Sequence, residues 1–178
     1  MKLKPLYGLL AEFETPQQLL EAAQRTHEAG YRKIDAYSPM PIHGLDEAVG
    51  FNGTILPAIV FTGGLLGGLT GFGMQWYANV LSYPLNVGGK PYNSWPHFIP
   101  ITFELTVLGA ALCAVFGMFA LNGLPRPYHP VFNVPQFARA SDDRFFLVVK
   151  SRDKNFDLDK TKVFLDGLKP FGVYEVEA

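Results

Sequence analysis

Two long uncharged stretches occupy the middle of the chain, whereas charged residues are concentrated towards both ends. No Asp, Glu, Lys or Arg occurs in the 42 residues between Glu47 and Lys90, and Glu104 is the only one between Lys90 and Arg126. The two apolar runs, about residues 54–77 and 98–121, each exceed the ~20 residues that a helix needs to cross a bilayer core. The pattern predicts a membrane hairpin of two transmembrane helices.

The first charged segment has the pattern of a strand, a helix and a second strand. We predict strands at Leu6–Phe13 and Arg32–Ser38, with a helix over residues 15–30 between them. Thr15 and Gln18 at the helix start have the spacing of a capping box, in which each side chain bonds the backbone N–H of the other residue.

The second charged segment repeats this order after the apolar runs. Strands are predicted at Arg144–Lys150 and Phe171–Glu177, with a helix over Asp157–Leu168 between them. The inward-facing side chains of that helix are predicted to be Val163, Phe164 and Leu168.

Two β-α-β halves fit a small α/β ferredoxin-like domain, in which the second and third strands are neighbours. An antiparallel pair of spans begins and ends at adjacent points, so the hairpin can be inserted between those two strands. We therefore predict a first βαβ half at residues 1–50, a transmembrane hairpin at 51–125 and a second βαβ half at 126–178. A different pairing of the same four strands remains possible.

Glycines recur at helical spacing in both spans. Gly63, Gly67 and Gly71 are four residues apart, and the remaining small residues are Gly64 and Gly68 beside them and Gly109, Cys113 and Gly117 on the second span. A phosphate-binding loop would require a Lys after the glycines, and a flexible linker would be polar. Small residues allow helix backbones to approach closely in lipid. We infer a helix-packing interface with a larger membrane protein; packing of the hairpin on itself is the alternative.

Aromatic and basic residues indicate the orientation. Trp76 and Trp95 flank the connecting loop, at the interface level that such rings prefer. That loop, residues 78–97, contains one basic residue, whereas the outer segments contain the others. We expect the loop to be irregular and periplasmic and both termini to be cytoplasmic, and we expect no secretory signal at the start of the chain.

Composition narrows the possible functions. The formal net charge of −1 gives no global attraction to nucleic acid. A single cysteine, Cys113, excludes an internal disulfide and a cysteine-rich metal or iron–sulfur site made by this chain alone. The histidines, which lack the spacing of a haem or metal site, are His27, His43, His97 and His129. We expect no catalytic residues, bound cofactor or metal in this chain.

Glu104 is the only ionisable group inside a predicted span. It lies about five residues from the loop, so roughly 7–8 Å deep at 1.5 Å per residue. An intramembrane carboxylate suggests a functional site. Glu104 could handle protons, or it could be a structural acid bonded to a partner's polar group or to interfacial water. We favour the structural role, since one carboxylate without a relay partner in this chain cannot form a proton path.

Several stretches carry a family resemblance that covers nearly the whole chain. The chain resembles the two-span D subunit of bacterial alternative complex III, and the residues that carry the resemblance are 7–50, 83–108 and 124–133, most specifically "GGKPYNSWPHFIPITFEL" at 88–105.

The resemblance implies an accessory integral-membrane subunit of a respiratory or photosynthetic quinol oxidoreductase in the bacterial inner membrane. Such a subunit has no redox centre of its own. Haem c and iron–sulfur clusters would belong to partner subunits, and large multi-span subunits would form the membrane core on which this chain packs. No active-site motif of that family can be transferred to residues of this chain.

Two other functions remain as alternatives. The first is a free-standing membrane-anchored sensor or carrier of a ligand or metal, because ferredoxin-like domains often bind either. A metal carrier would require a cysteine pair in the first β-α loop, where this chain has "EFETPQQ". The second is an adaptor for a related quinone-linked respiratory complex.

Overall fold

The computed structural model describes residues 6–51 and 53–178. It divides into two compact units, one formed by Met1–Asn52 with Pro127–Ala178 and the other by Gly53–Arg126. The strands are β1 (Leu6–Phe13), β2 (Ile34–Tyr37), β3 (Phe145–Lys150) and β4 (Gly172–Glu177). The helices are α1 (Pro16–Glu28), α2 (Leu45–Ala48), α3 (Leu56–Trp76), α4 (Trp95–Asn122) and α5 (Leu158–Gly167).

The first unit is built on a four-stranded sheet in the order β2-β3-β1-β4, with every neighbouring pair antiparallel. The predicted strands are therefore confirmed, with ends shifted by at most two residues. Tyr37, the last residue of β2, pairs with Phe146 of β3. The chain thus leaves the sheet and returns to it at adjacent positions, although more than 100 residues lie between them.

Helices α1 and α5 cover one face of this sheet. Their buried residues pack with alternate residues of the central strands in a core that includes Leu9, Ala11, Phe13, Leu19, Ala23, Leu147 and Leu165. The predicted capping box of α1 is confirmed, because the N–H of Gln18 donates to Thr15 Oγ1 at 3.3 Å and the N–H of Thr15 donates to Gln18 Oε1 at 3.3 Å.

The prediction that Val163 faces inward is wrong. Val163 is 72% exposed, whereas Thr161 and Leu165 are fully buried. Residues 161 and 165 are four apart and share one face of the helix, so residue 163, about 200° from residue 161, lies on the other side. Phe164 and Leu168 pack at the edge of the core, as predicted.

The opposite face of the sheet is covered by a segment for which the sequence analysis predicted no structure. Two 3₁₀ turns, Pro130–Asn133 and Pro135–Ser141, follow the second long helix. Their apolar side chains complete a second core, whose buried members are Leu10, Val131, Val134, Phe137, Phe146, Val148 and Val176. Without this segment, one face of the sheet would be open to water.

The second unit is a pair of long apolar helices, as the sequence predicts. The first runs from Leu56 through Ser82, since α3 continues into a π-helical turn at Tyr77–Ser82. The second is α4. Each is long and apolar enough to cross a membrane. The connecting segment was predicted to begin at residue 78, but residues 78–82 belong to the helix, so it begins after Ser82.

A buried carboxylate connects two turns of the first unit. The backbone N–H groups of Arg32 and Lys33, just before β2, both donate to Asp153 Oδ2 at 2.6 Å, and that of Asn155 donates to Oδ1 at 2.9 Å. Burial by itself would raise the pKa of the Asp153 carboxyl, but these three donors outweigh it and hold the pKa below its usual range.

We predict that Asp153→Asn lowers the free energy of unfolding by about 1–3 kcal/mol. Asparagine has one neutral carbonyl oxygen where aspartate has two charged oxygens, so it accepts the backbone N–H groups less well. The pKa of Asp153 is depressed in the folded state, so its contribution is present above the unfolded pKa of about 3.9 and is lost as pH falls through the folded pKa. Thermal unfolding of the full chain in detergent, from pH 7 to pH 2, tests this. The difference in unfolding temperature between wild type and Asp153→Asn should become smaller as the pH falls.

The control is Asp142→Asn, which changes an exposed carboxylate. It should leave the unfolding temperature near that of wild type at every pH. Equal stability of Asp153→Asn and wild type at pH 7 would contradict the structural role of the Asp153 carboxylate.

Candidate functional site: the helical hairpin

The predicted glycines lie where α3 and α4 touch. A side chain on Gly67 would overlap the carbonyl group of Leu105, and one on Gly63 would overlap Cys113. A β-carbon on Gly71 would lie 3.1 Å from the α-carbon of Thr102, so this position is also tight. The glycines thus let the two helices approach closely, with the backbone of α3 against the backbone of α4 and the small side chain of Cys113.

The contact is reciprocal on the second helix. A β-carbon on Gly109 would lie 2.5 Å from the carbonyl oxygen of Gly63, and one on Gly117 would lie 3.1 Å from the side chains of Leu56 and Ile59. The second helix of the hairpin therefore fills the space beside Gly63, Gly67 and Gly71. Any docking onto a larger membrane protein uses other faces of the pair.

Gly64 and Gly68 lie beside this contact and line an open apolar groove. A β-carbon on Gly64 would meet only ordinary van der Waals neighbours, the nearest at 3.5 Å. The groove has a volume of about 620 Å³, and the other residues that line it include Phe61, Leu65, Leu69, Phe72, Thr102 and Thr106.

A glutamine that the sequence analysis did not single out links the two helices. Gln75 is 9% exposed, and its Nε2 donates to the carbonyl oxygens of Gly71 and Phe98, each at 3.0 Å. The bond to Phe98 crosses from one helix to the other. The sequence signal was present, since Gln75 is an amide side chain inside an apolar run, where polar groups need a partner.

The outer surface of the hairpin is apolar and uncovered in the isolated chain. Phe61, Leu69, Phe103 and Phe116 are each more than 60% exposed. Glu104 is also exposed and lies on this outer surface. A soluble protein would not leave so many large apolar side chains in water, so this surface requires lipid or a protein partner.

A buried charged cluster lies in the other unit. Glu12 is 1% exposed; its Oε2 accepts from the hydroxyl of Tyr174 at 2.9 Å, and its Oε1 lies 3.4 Å from Arg144 Nε. Arg144 also pairs with Glu14 at 2.6 Å and stacks 4.5 Å above the ring of Phe171. Burial first, and then the hydrogen bond to Glu12, raise the pKa of Tyr174. The cluster therefore links β1 to β4 and to the residue that precedes β3.

The four histidines have different surroundings. His27 packs against Gly50, His43 lines a groove beside β2, and His129 Nε2 lies 3.3 Å from the hydroxyl of Tyr7. His97 is exposed in the first turn of α4. Within residues 6–51 and 53–178, no three His, Cys, Asp or Glu side chains form a possible metal site.

We predict that Gly67→Leu destabilises the hairpin by about 1–3 kcal/mol, because the added side chain forces the two backbones apart. Gly73→Leu is the matched control, since a β-carbon there meets nothing within 4 Å. Unfolding of the full chain by increasing SDS in mixed micelles, followed by tryptophan fluorescence, measures the difference. The first unit lacks the glycine contact and should remain folded. Equal stability of the two variants would show that the backbone contact contributes little.

Comparison with known protein families identifies a family that covers nearly the whole chain. The family model described as "Alternative complex III, ActD subunit" matches residues 7–175, which include nearly all of both units. No curated protein matches the chain.

Proposed function

The chain belongs to the ActD subunit family of alternative complex III, and we propose that it is an accessory integral-membrane subunit that packs on the large membrane subunits of that complex. The family makes it a subunit of an electron-transport oxidoreductase of the respiratory chain. The finer proposal concerns what this subunit does within the complex.

One observation carries the proposal: the hairpin uses its glycine face for itself and leaves its large apolar side chains exposed. Two helices alone cannot bury that surface. In a complex, part of it would face lipid and part would contact neighbouring transmembrane helices. The first unit, by contrast, has both faces of its sheet covered.

The proposed subunit has no redox centre. Iron–sulfur clusters need several cysteine thiolates, and this chain has one cysteine, whose sulfur packs against Gly63. Haem c and the iron–sulfur clusters would then belong to partner subunits, and quinol oxidation would take place there.

The first unit is proposed to be ferredoxin-like. Its strand order, β4-β1-β3-β2, and its two β-α-β halves, with α1 and α5 on one face, support this assignment. The hairpin would then be an insertion between the second and third strands, where a long excursion leaves the strand pairing intact.

The proposed orientation has both termini in the cytoplasm and the loop at 78–97 in the periplasm of the bacterial inner membrane. The loop contains a single basic residue, Lys90, whereas the outer segments contain the others. Trp95 is exposed at the start of α4, which suits an interfacial anchor.

Native gel electrophoresis of detergent-solubilised membranes tests the assembly. The full chain, detected by a C-terminal tag, should migrate in a large complex whose band shows haem absorption. A chain that migrates alone, with no haem in its band, would contradict the proposed function and favour the free-standing sensor or carrier.

We predict the topology from the same proposal. Lys154 is exposed in the first unit and Asn93 is exposed in the loop, so a cysteine at either position is open to reagents. In intact cells with a permeabilised outer membrane, an impermeant maleimide should label Asn93→Cys but not Lys154→Cys. After the inner membrane is disrupted, both should react. The parent chain is the control, because its Cys113 packs inside the hairpin. The reverse labelling pattern would refute the orientation.

A further inference from the structure

We propose that the outward face of α4, centred on Glu104, docks onto a transmembrane segment of a partner subunit that presents a Lys or Arg side chain to the Glu104 carboxylate. The inference rests on the proposed function, because it assumes that the hairpin lies in the membrane within a complex. It identifies the face of the hairpin that meets the partner and the chemistry of the residue opposite.

Glu104 points away from the glycine contact. Thr102, Thr106 and Gly109 face α3. At 100° per residue, position 104 lies about 160° from position 106, on the opposite side of the helix. The neighbours on that side, Leu108 and Val115, are about half exposed. The hairpin's own helices therefore cannot cover the carboxylate.

With its midpoint at the bilayer centre, α4 places the carboxylate as deep as the sequence suggested. Because α4 begins at Trp95 and ends at Asn122, its midpoint falls between residues 108 and 109. Glu104 is about 7 Å from that midpoint along the helix axis, and the hydrocarbon core extends about 15 Å to each side of its centre. A glutamate side chain is too short to reach the headgroups from there.

A carboxylate at this depth needs a donor. In the part of the chain that the structure describes, no residue forms a hydrogen bond or ion pair with Glu104. Lipid tails offer no hydrogen-bond donor, and intramembrane acids face a bundle interior and pair with other groups. The counter-group must therefore come from another chain.

The chemistry of the carboxylate indicates its partner. An ionised carboxylate is a charged acceptor with no proton to donate, which favours a cationic partner side chain with several N–H groups.

Substitutions at Glu104 test the proposal through assembly. The haem-bearing partners that co-purify with the tagged full chain are quantified by absorption. Glu104→Leu should lower this yield by roughly tenfold or more, because it leaves a buried partner cation unpaired. Glu104→Lys should lower it further by repulsion, and Glu104→Gln should lower it less, because one acceptor oxygen remains.

Two controls separate the causes. Glu104→Leu makes the span more apolar, so its loss of assembly cannot come from failed membrane insertion. Glu47→Leu removes an exposed carboxylate outside the spans and should assemble as wild type does.

The outcomes distinguish the two proposals. If wild type brings haem-bearing partners and Glu104→Leu brings as much, the docking proposal is wrong and the proposed function stands. Full assembly of Glu104→Gln with a large loss of quinol turnover would also overturn it, in favour of a proton-handling role. If wild type brings no such partners, the proposed function fails, and the docking proposal fails with it.

Discussion

The close backbone contact between Gly63, Gly67 and Gly71 of α3 and the facing surface of α4 determines the rest of the hairpin. Each of these glycines lies so close to the second helix that even a methyl group would overlap or crowd it. Since a large side chain cannot fit beside these glycines, most of the large apolar side chains lie elsewhere. Many occupy the outer surface, where only lipid or another protein can cover them.

The same contact explains the distribution of polar groups in the hairpin. Gln75 lies at its edge and is satisfied by carbonyl groups of both helices, so it belongs to the hairpin's own packing. Glu104 lies on the outer side, and within residues 6–51 and 53–178 no hydrogen-bond or ion-pair partner contacts its carboxylate. Gln75 therefore links the two helices, whereas the Glu104 carboxylate stays exposed.

The two halves of the first unit are separated in the chain by the hairpin. The sheet forms by pairing of strands from both halves. Asp153 bonds the backbone before β2, and Glu12 pairs with Arg144 and Tyr174. Such contacts, together with two apolar cores, allow the unit to form around a long excursion of the chain.

The sequence by itself determined the elements and the class of the molecule. Uncharged runs longer than 20 residues, the Thr15–Gln18 capping box and the four apolar strands are local patterns, and local physics defines them. Tertiary structure alone decided which surfaces meet. The 3₁₀ segment at 130–141 has no helical or strand periodicity, so its sequence does not predict its structure. Its position depends on packing against the second face of the sheet. The inward prediction for Val163 rested on its apolar side chain alone. It did not take into account that Thr161 and Leu165 place the buried face on the other side of the helix. The glycine stripe could have faced either a partner or α4. Small residues at helical spacing allow another helix to approach closely, but they do not show which helix it is. The tertiary structure decides between them, because α4 fills the space beside Gly63, Gly67 and Gly71.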